Sequence, residues 1–396
     1  SRGGLYEFPV HHMRGGTSTG LVLWERLAPP ELALREELLR HLMGVPLEGE
    51  HPEHRQVSGL GRGAPTSNKV FFVDTEEADG RLRLVSTLAQ LAAQTAAVDW
   101  RVNCGNMSAA IPLWALDAGL GRAQPGEAWS IDIRNVNTGV VTTAKMRFDA
   151  QGVPEAAAIP GVDGAFPAVD LFLHAPAGAK TGKLLPTGKA SEQVGAHTAT
   201  CIDVAVPMVI LDAAEFGKTA HEPIAALEAD DAFMQALREV WIEAGWRMGL
   251  AHRDGRRMSR EELAKSETVP KVCIVGAPAH GGQLAVRYFT PQAAHPSLAV
   301  SGACCIATAA LVPGTVAHRL ARRLPPAHQA FAADQIAIEN PAGALLATVV
   351  SRQRAGEVEV RSVAYRRSAQ ILLRGHVPLY RPSPALRRWL QAEASG

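Results

Sequence analysis

A chain of 396 residues is longer than one compact core usually accommodates, so two domains are expected. Its 40 basic and 39 acidic residues leave a formal charge of +1, without the basic excess that nucleic acid or an anionic membrane surface demands. Although 47% of residues are hydrophobic, no apolar run reaches the roughly 20 residues of a membrane span. Five cysteines without regular spacing make no disulfide framework and read as thiols of a reducing, cytoplasmic compartment. The opening SRGGLYEFPVHH lacks the charged-then-apolar pattern of a signal peptide, and His11 and His12 read as the approach to a strand.

In chain order, the first signal is the glycine-rich turn MRGGTSTG (Met13 to Gly20) before a strand, LVLW. Pro30 to Met43 has helical periodicity, with Gly44 as its stop. His51 and His54 lie in HPEH, whose proline and spacing suit a solvated loop better than a metal site. TSNKVFFV (Thr66 to Val73) is a polar turn running into an apolar strand, and VNCGNMSAAIPLW (Val102 to Trp114) leads from Cys104 into a helix apolar nearly all round. WSIDIRN and VVTTAKMRF read as strands. Ala175 to Gln193, rich in Gly, Pro, Lys and Ser, is the expected crossing between halves; its AGAKTGKL lacks the spacing and final hydroxyl of a phosphate loop. Ile224 to Trp246 is an acidic amphipathic helix, and KVCIVGAP, LLATVV, EVEVRSV and AQILLRGHVPLY are further strands. The class is α+β and strand-rich. A faint repeat relates Cys104–Ala110 to Ser301–Ala307, each placing small residues before a buried helix; residues 1–190 and 191–396 are the corresponding lobes.

Several residues carry chemistry. Arg14 suits a carboxylate bidentately, Gly15 allows close backbone approach, and Thr17 and Ser18 offer hydroxyls. Lys69 stands among apolar neighbours, and a buried amine favours its neutral, basic form. Cys104 fits a nucleophile, an acid/base or a core residue; Asn103 and Asn106 beside it are poor core residues. Cys201, Cys273, Cys304 and Cys305 read as packing.

Together MRGGTSTG, TSNKVFFV, VDWRVNCGNMSAA, NVNTG, LLPTG, RMGL, LVPGT, ENPAG and RSAQILLRGHV resemble the PrpF-like family of methylaconitate and methylitaconate isomerases and 4-oxalomesaconate tautomerases, over almost the whole chain. The resemblance implies a diaminopimelate epimerase-like fold: two similar lobes, each a sheet around a central helix, with the active site between them. It implies a cofactor-independent, metal-free 1,3-allylic proton shift on a small unsaturated di- or tricarboxylate. Lys69 and Cys104 would be the acid/base pair, with substrate held by Arg14, Gly15, Thr17, Ser18, Asn103 and the N–H groups of Gly105 and Asn106. Ser301, Gly302 and Ala303 would form the mirror site. A homo-oligomer is compatible with the family. In this chain Thr19 stands where the family's RGGTSKG has lysine, Asn68 intervenes in TSNK, and Ser301 replaces the second cysteine of the epimerases. An epimerase of the same fold, a cysteine hydrolase and a non-catalytic partner of an aconitase-type enzyme are the competing readings. The first lacks its second thiol, the motif around Cys104 carries no histidine for the second, and the third does not need both Lys69 and Cys104.

Overall fold

A computed structural model describes residues 5–100, 104–252 and 254–393. The chain divides into two compact units, Ser1–Leu171 with Arg367–Gly396, and Phe172–Arg366. Residues 172–190 thus lie with the second unit and the last segment with the first, in contrast to the division at 190/191 expected above. The physical reason is that two long strands each run from one unit into the other.

The first unit opens with β1 (Tyr6–Gly15) and β2 (Ser18–Trp24), a hairpin turned at Gly16, where φ is +54°. His11 and His12 lie within β1 and not ahead of a strand. Next comes α1 (Leu32–Met43), ended by Gly44 in the left-handed region at φ +68°, as its periodicity predicts. The chain continues through β3 (Lys69–Ala78), β4 (Arg81–Leu91), β5 (Val98–Asp99), α2 (Gly105–Ser108), α3 (Ala110–Asp117), β6 (Ala128–Asn135), β7 (Val141–Arg147), β8 (Ala156–Ala158) and β9 (Ala165–His174). β3 lies parallel to β2, and β4 pairs antiparallel with β3. Alternation along these strands splits their side chains between two faces. Phe8, Val10, Leu21, Leu23, Val70 and Phe72 meet Leu38, Leu39 and Leu42 of α1 in one core. The opposite face meets α2 and α3: the Trp24 and Trp114 rings cross 4.7 Å apart, and His11 bonds Asp117 at 3.0 Å. Pro112 lacks an N–H and clashes with a continuous turn behind it, which accounts for the break between α2 and α3.

His12 is buried on β1, and burial, followed by the charge of Arg62, pushes its pKa down from 6.5 to about 4. The unfolded chain therefore takes up this proton before the folded one does. Stability is full above pH 6.5 and falls as pH drops towards 4, by about 2–3 kcal/mol for this group. Urea midpoints compared at neutral pH and near the lower value should show that loss, and His12→Leu should reduce it. His41 and His295 shift in the same direction, both mainly by burial, so some acid sensitivity remains in the variant.

The second unit runs through β10 (Glu192–Val194), β11 (His197–Val204), β12 (Val206–Asp212), α4 (Ile224–Glu228), α5 (Asp231–Arg247), α6 (Arg260–Lys265), β13 (Lys271–Gly276), β14 (Leu284–Thr290), β15 (Ala293–Ala294), α7 (Val300–Leu311), α8 (Val316–Leu320), β16 (Ala332–Asn340), β17 (Gly343–Arg354) and β18 (Glu357–Leu379). The expected helix over 224–246 is two, because the Asp230 carboxylate caps a new start by accepting the Phe233 N–H at 3.0 Å. EVEVRSV and AQILLRGHVPLY are one strand, β18, whose first part pairs with β17 and whose second part pairs with β1. After it α9 (Pro384–Glu393) adds Leu386 and Leu390 to the core of the first unit. α7 is buried from Gly302 to Ala310, as an apolar helix enclosed by sheet must be. The segment expected as a crossing is instead an organised loop of this unit: Asp203 Oδ2 accepts the N–H groups of Lys180 and Thr181 at 2.8 and 2.7 Å. That carboxylate occupies the amides that a phosphate would have sought. Among the described residues no helix is long and apolar enough to cross a membrane.

Candidate active site

Cys104 stands as the N-cap of α2, with extended backbone, and its sulfur accepts the Met107 N–H at 3.4 Å. The first helical bond runs from the Ser108 N–H to the Cys104 carbonyl, 3.0 Å, and the Ser108 hydroxyl donates to the same oxygen at 2.9 Å. The other four cysteines are buried thiols outside any disulfide; Cys104 alone is half-buried. Burial pushes the Cys201 thiol up to about 12 and raises those of Cys273 and Cys305, so these three stay protonated and inert at neutral pH.

What faces this thiol follows from strand alternation. Ser18 Oγ lies 3.7 Å from Cys104 Sγ. Gly15 pairs with Ser18, and Gly20, two residues along β2, pairs with Lys69 of β3. A Cβ added to Gly20 would lie 3.1 Å from that of Lys69, so the two positions share a face. Gly15, Ser18, Gly20 and Lys69 therefore belong to the side of the sheet on which Cys104 sits. Three small residues clear the strand ends there, and Lys69 is buried among them.

α2 is held against this face by named contacts. The Asn106 amide donates to Thr17 Oγ1 at 3.3 Å, and its Oδ1 accepts Arg367 Nε at 2.8 Å. Gly15 lets the backbone approach, since a Cβ there would fall 2.7 Å from the Asn106 carbonyl and 2.8 Å from that of Met107. Gly105 opens the helix beside Cys104.

Arg14 has the opposite parity, across from Thr19. Its Nη1 donates to the carbonyls of Gly16 and Ser368 at 2.8 and 3.2 Å, and its guanidinium stacks 4.7 Å from the Phe166 ring. This side chain braces the hairpin turn; its Nη2 is buried without a hydrogen-bond partner among the described residues. Asn68 likewise faces away from Cys104. Fully buried, it pairs reciprocally with Gln56 at 2.9 and 3.1 Å and accepts the Arg62 N–H at 3.2 Å. It thus anchors the chain just ahead of Lys69. Asn68→Ala would remove both of its bonds to Gln56 and the acceptor of the Arg62 N–H, while Gln56 keeps Met43 and Gly63, and a loss of about 1–3 kcal/mol in denaturant unfolding is expected.

Asn103, expected as a substrate contact, lies outside the described residues. Ser301, Gly302 and Ala303 are not a turn before a helix but the first turn of α7 itself. The Ala303 N–H is taken by the Ala299 carbonyl at 2.9 Å, which removes it as a donor to a ligand. Gly302 is required by Tyr288, whose ring would lie 2.7 Å from an added Cβ. Arg367 and Ser368, in the RSAQ run at 367–370, carry no spacing signal in the sequence that assigns them to this site. Only the register of β18 against β1 reveals what they support.

The chain is similar to known proteins over most of its length. A family model described as PrpF protein matches residues 5–380. A 4-oxalomesaconate tautomerase of Pseudomonas putida is 34% identical over 343 residues, covering 86% of this chain and 88% of that protein. A (4E)-oxalomesaconate Delta-isomerase of Novosphingobium sp. is 32% identical over 371 residues, 93% of this chain and 96% of that protein. The crystal structure of a methylitaconate-delta-isomerase superposes with a TM-score of 0.80 at 25% identity, covering 96% of this chain and 97% of that one.

Proposed function

Because the chain belongs to the PrpF protein family, we propose that it is an isomerase moving a proton across an allylic system in a small unsaturated polycarboxylate, with a keto tricarboxylate of the 4-oxalomesaconate type preferred. The observation that carries the chemistry is the shared face of Lys69, Ser18 and Cys104, cleared by Gly15 and Gly20. The preference for the oxalyl substrate rests on the higher identity to the two oxalomesaconate enzymes than to the methylitaconate one.

In this reading one of Lys69 and Cys104, in its unprotonated form, removes the proton from the saturated carbon next to the double bond. The electron pair spreads through the conjugated system onto a carboxylate or keto oxygen. The other residue, protonated, returns a proton at the far carbon, so the substrate's atoms and charge balance. Solvent then resets the pair. Developing negative charge sits beside the start of α2, where helix geometry favours an anion. Ser18, hydrogen-bonded to the sulfur, orients the thiol. None of the five cysteines forms a disulfide, which suits a reducing, cytoplasmic compartment.

Proton NMR in deuterated buffer with oxalomesaconate, methylitaconate and trans-aconitate tests this. Oxalomesaconate should isomerise fastest and gain deuterium at the newly saturated carbon. Binding of all three acids without exchange would overturn the catalytic reading.

A further inference from the structure

Away from Lys69 and Cys104, one edge of the second unit gathers another set of functional side chains. β13 and β14 are antiparallel neighbours, and β16 runs parallel to β14 with Glu339 opposite Ala285. The end of β13, the start of β14 and the end of β16 therefore come to the same edge. The segment before α4 joins them there, as Gly276 packs against Thr219. His221, His280 and Glu339 meet at this edge, with one ligand atom of each within 4.8 Å of the others. Among the described residues this is the one such group of histidine, cysteine and acidic side chains.

The surroundings hold these groups in place. Glu339 is buried; its Oε1 accepts the N–H groups of His280 and Gly282 at 2.7 and 2.8 Å, and its Oε2 that of Ala279 at 2.8 Å. Burial opposes ionisation, but these bonds outweigh it and keep the carboxyl below its usual range. Three of about four lone-pair directions are thereby used, leaving acceptor capacity for one more partner. His221 Nε2 lies 2.9 Å from the Ala277 carbonyl, which can only accept, so Nε2 is the donor there and Nδ1 is the nitrogen left to face a ligand. A backbone carbonyl fixing one ring nitrogen is the usual support of a metal-ligating histidine. Arg323 steadies the same loop by donating to the carbonyls of Gly281 and Gly282 at 2.7 and 2.9 Å.

We propose that His221, His280 and Glu339 form a divalent-metal site of the second unit, with Zn²⁺ its best-suited occupant. Two imidazoles and one carboxylate are a donor set that zinc accepts, with a fourth position left for water. Bound metal would tie together three segments distant in sequence at one sheet edge, a clip separate from the isomerase chemistry. No spacing along the chain advertises it, because each ligand comes from a different loop or strand end.

The test is calorimetric titration of the whole, chelator-treated protein with zinc chloride, beside its His221→Ala/His280→Ala double variant and a His252→Ala control. Wild type and control should bind one equivalent that the double variant binds at least tenfold more weakly or not at all. Zinc should also raise the thermal midpoint of wild type and not of the double variant. Cobalt in place of zinc should give visible absorption bands without the thiolate charge-transfer band that binding at Cys104 would produce. Glu339 also anchors its loop, so the histidine variants decide the matter. Equal affinity and stoichiometry in wild type and double variant, or no uptake at millimolar zinc, would overturn the site.

Discussion

Cys104→Ala should lower isomerase turnover by about 10²–10⁴-fold while leaving the protein folded and able to bind carboxylate. The sulfur caps α2 through the Met107 N–H, so its removal also costs stability, about 1 kcal/mol by analogy with other caps. That is small beside the kinetic loss. Lys69→Met, which keeps the buried volume and removes the amine, should give a loss of the same order. If the two act as one relay, the double variant should be little worse than the poorer single variant, since each alone already stops proton return. Initial rates and deuterium uptake by NMR measure all three. A Cys104→Ala enzyme within threefold of wild type would remove the thiol from the mechanism, and the same result for Lys69→Met would remove the amine.

The second large effect is expected from a single methyl group. Gly15→Ala adds a Cβ that would sit 2.7 Å from the Asn106 carbonyl and 2.9 Å from Met107 Cα, both backbone atoms that cannot swing aside. Either β1 or α2 must move. Overpacking of this kind costs about 1–3 kcal/mol, visible as a lower denaturation midpoint. The catalytic cost should be larger, because α2 carries Cys104, and misplacing a reacting group by about 1 Å costs on the order of 10²-fold. Activity assayed well below the melting transition separates the two effects. Gly119→Ala makes a useful comparison: its added Cβ would meet nothing within 4 Å, although its φ of +77° brings strain. It should reduce stability without touching turnover.

Much of the local structure was legible in the chain. The period of PELALREELLRHLM and its glycine stop describe α1, and KVFFV, WSIDIRN and KVCIVGAP are strands as read. The placing of Cys104 at a helix start came from one glycine, one asparagine and a run of small residues, and α2 begins there. These are local properties, decided by side-chain volume, backbone freedom and hydrogen bonding within a few residues. Boundaries were less legible where a distant group intervenes. Asp230 splits one amphipathic run into α4 and α5, and the β17 and β1 partners of β18 merge two short runs into one strand.

The site divides in the same way. Residue identity made Lys69, Ser18 and Cys104 candidates beside Arg14, Thr17 and Asn103, and the acid/base role of Lys69 and Cys104 is what the family resemblance implies. Which of the flanking residues share their face was decided by tertiary structure. Pairing register puts Gly15, Gly20 and Lys69 on the side of the sheet where Cys104 lies, and sends Arg14 and Asn68 to other work, one bracing a turn and the other anchoring a loop. A sequence records which groups are present at each step of a strand. Only the register between strands, set by the packing of both faces at once, determines which of those groups meet.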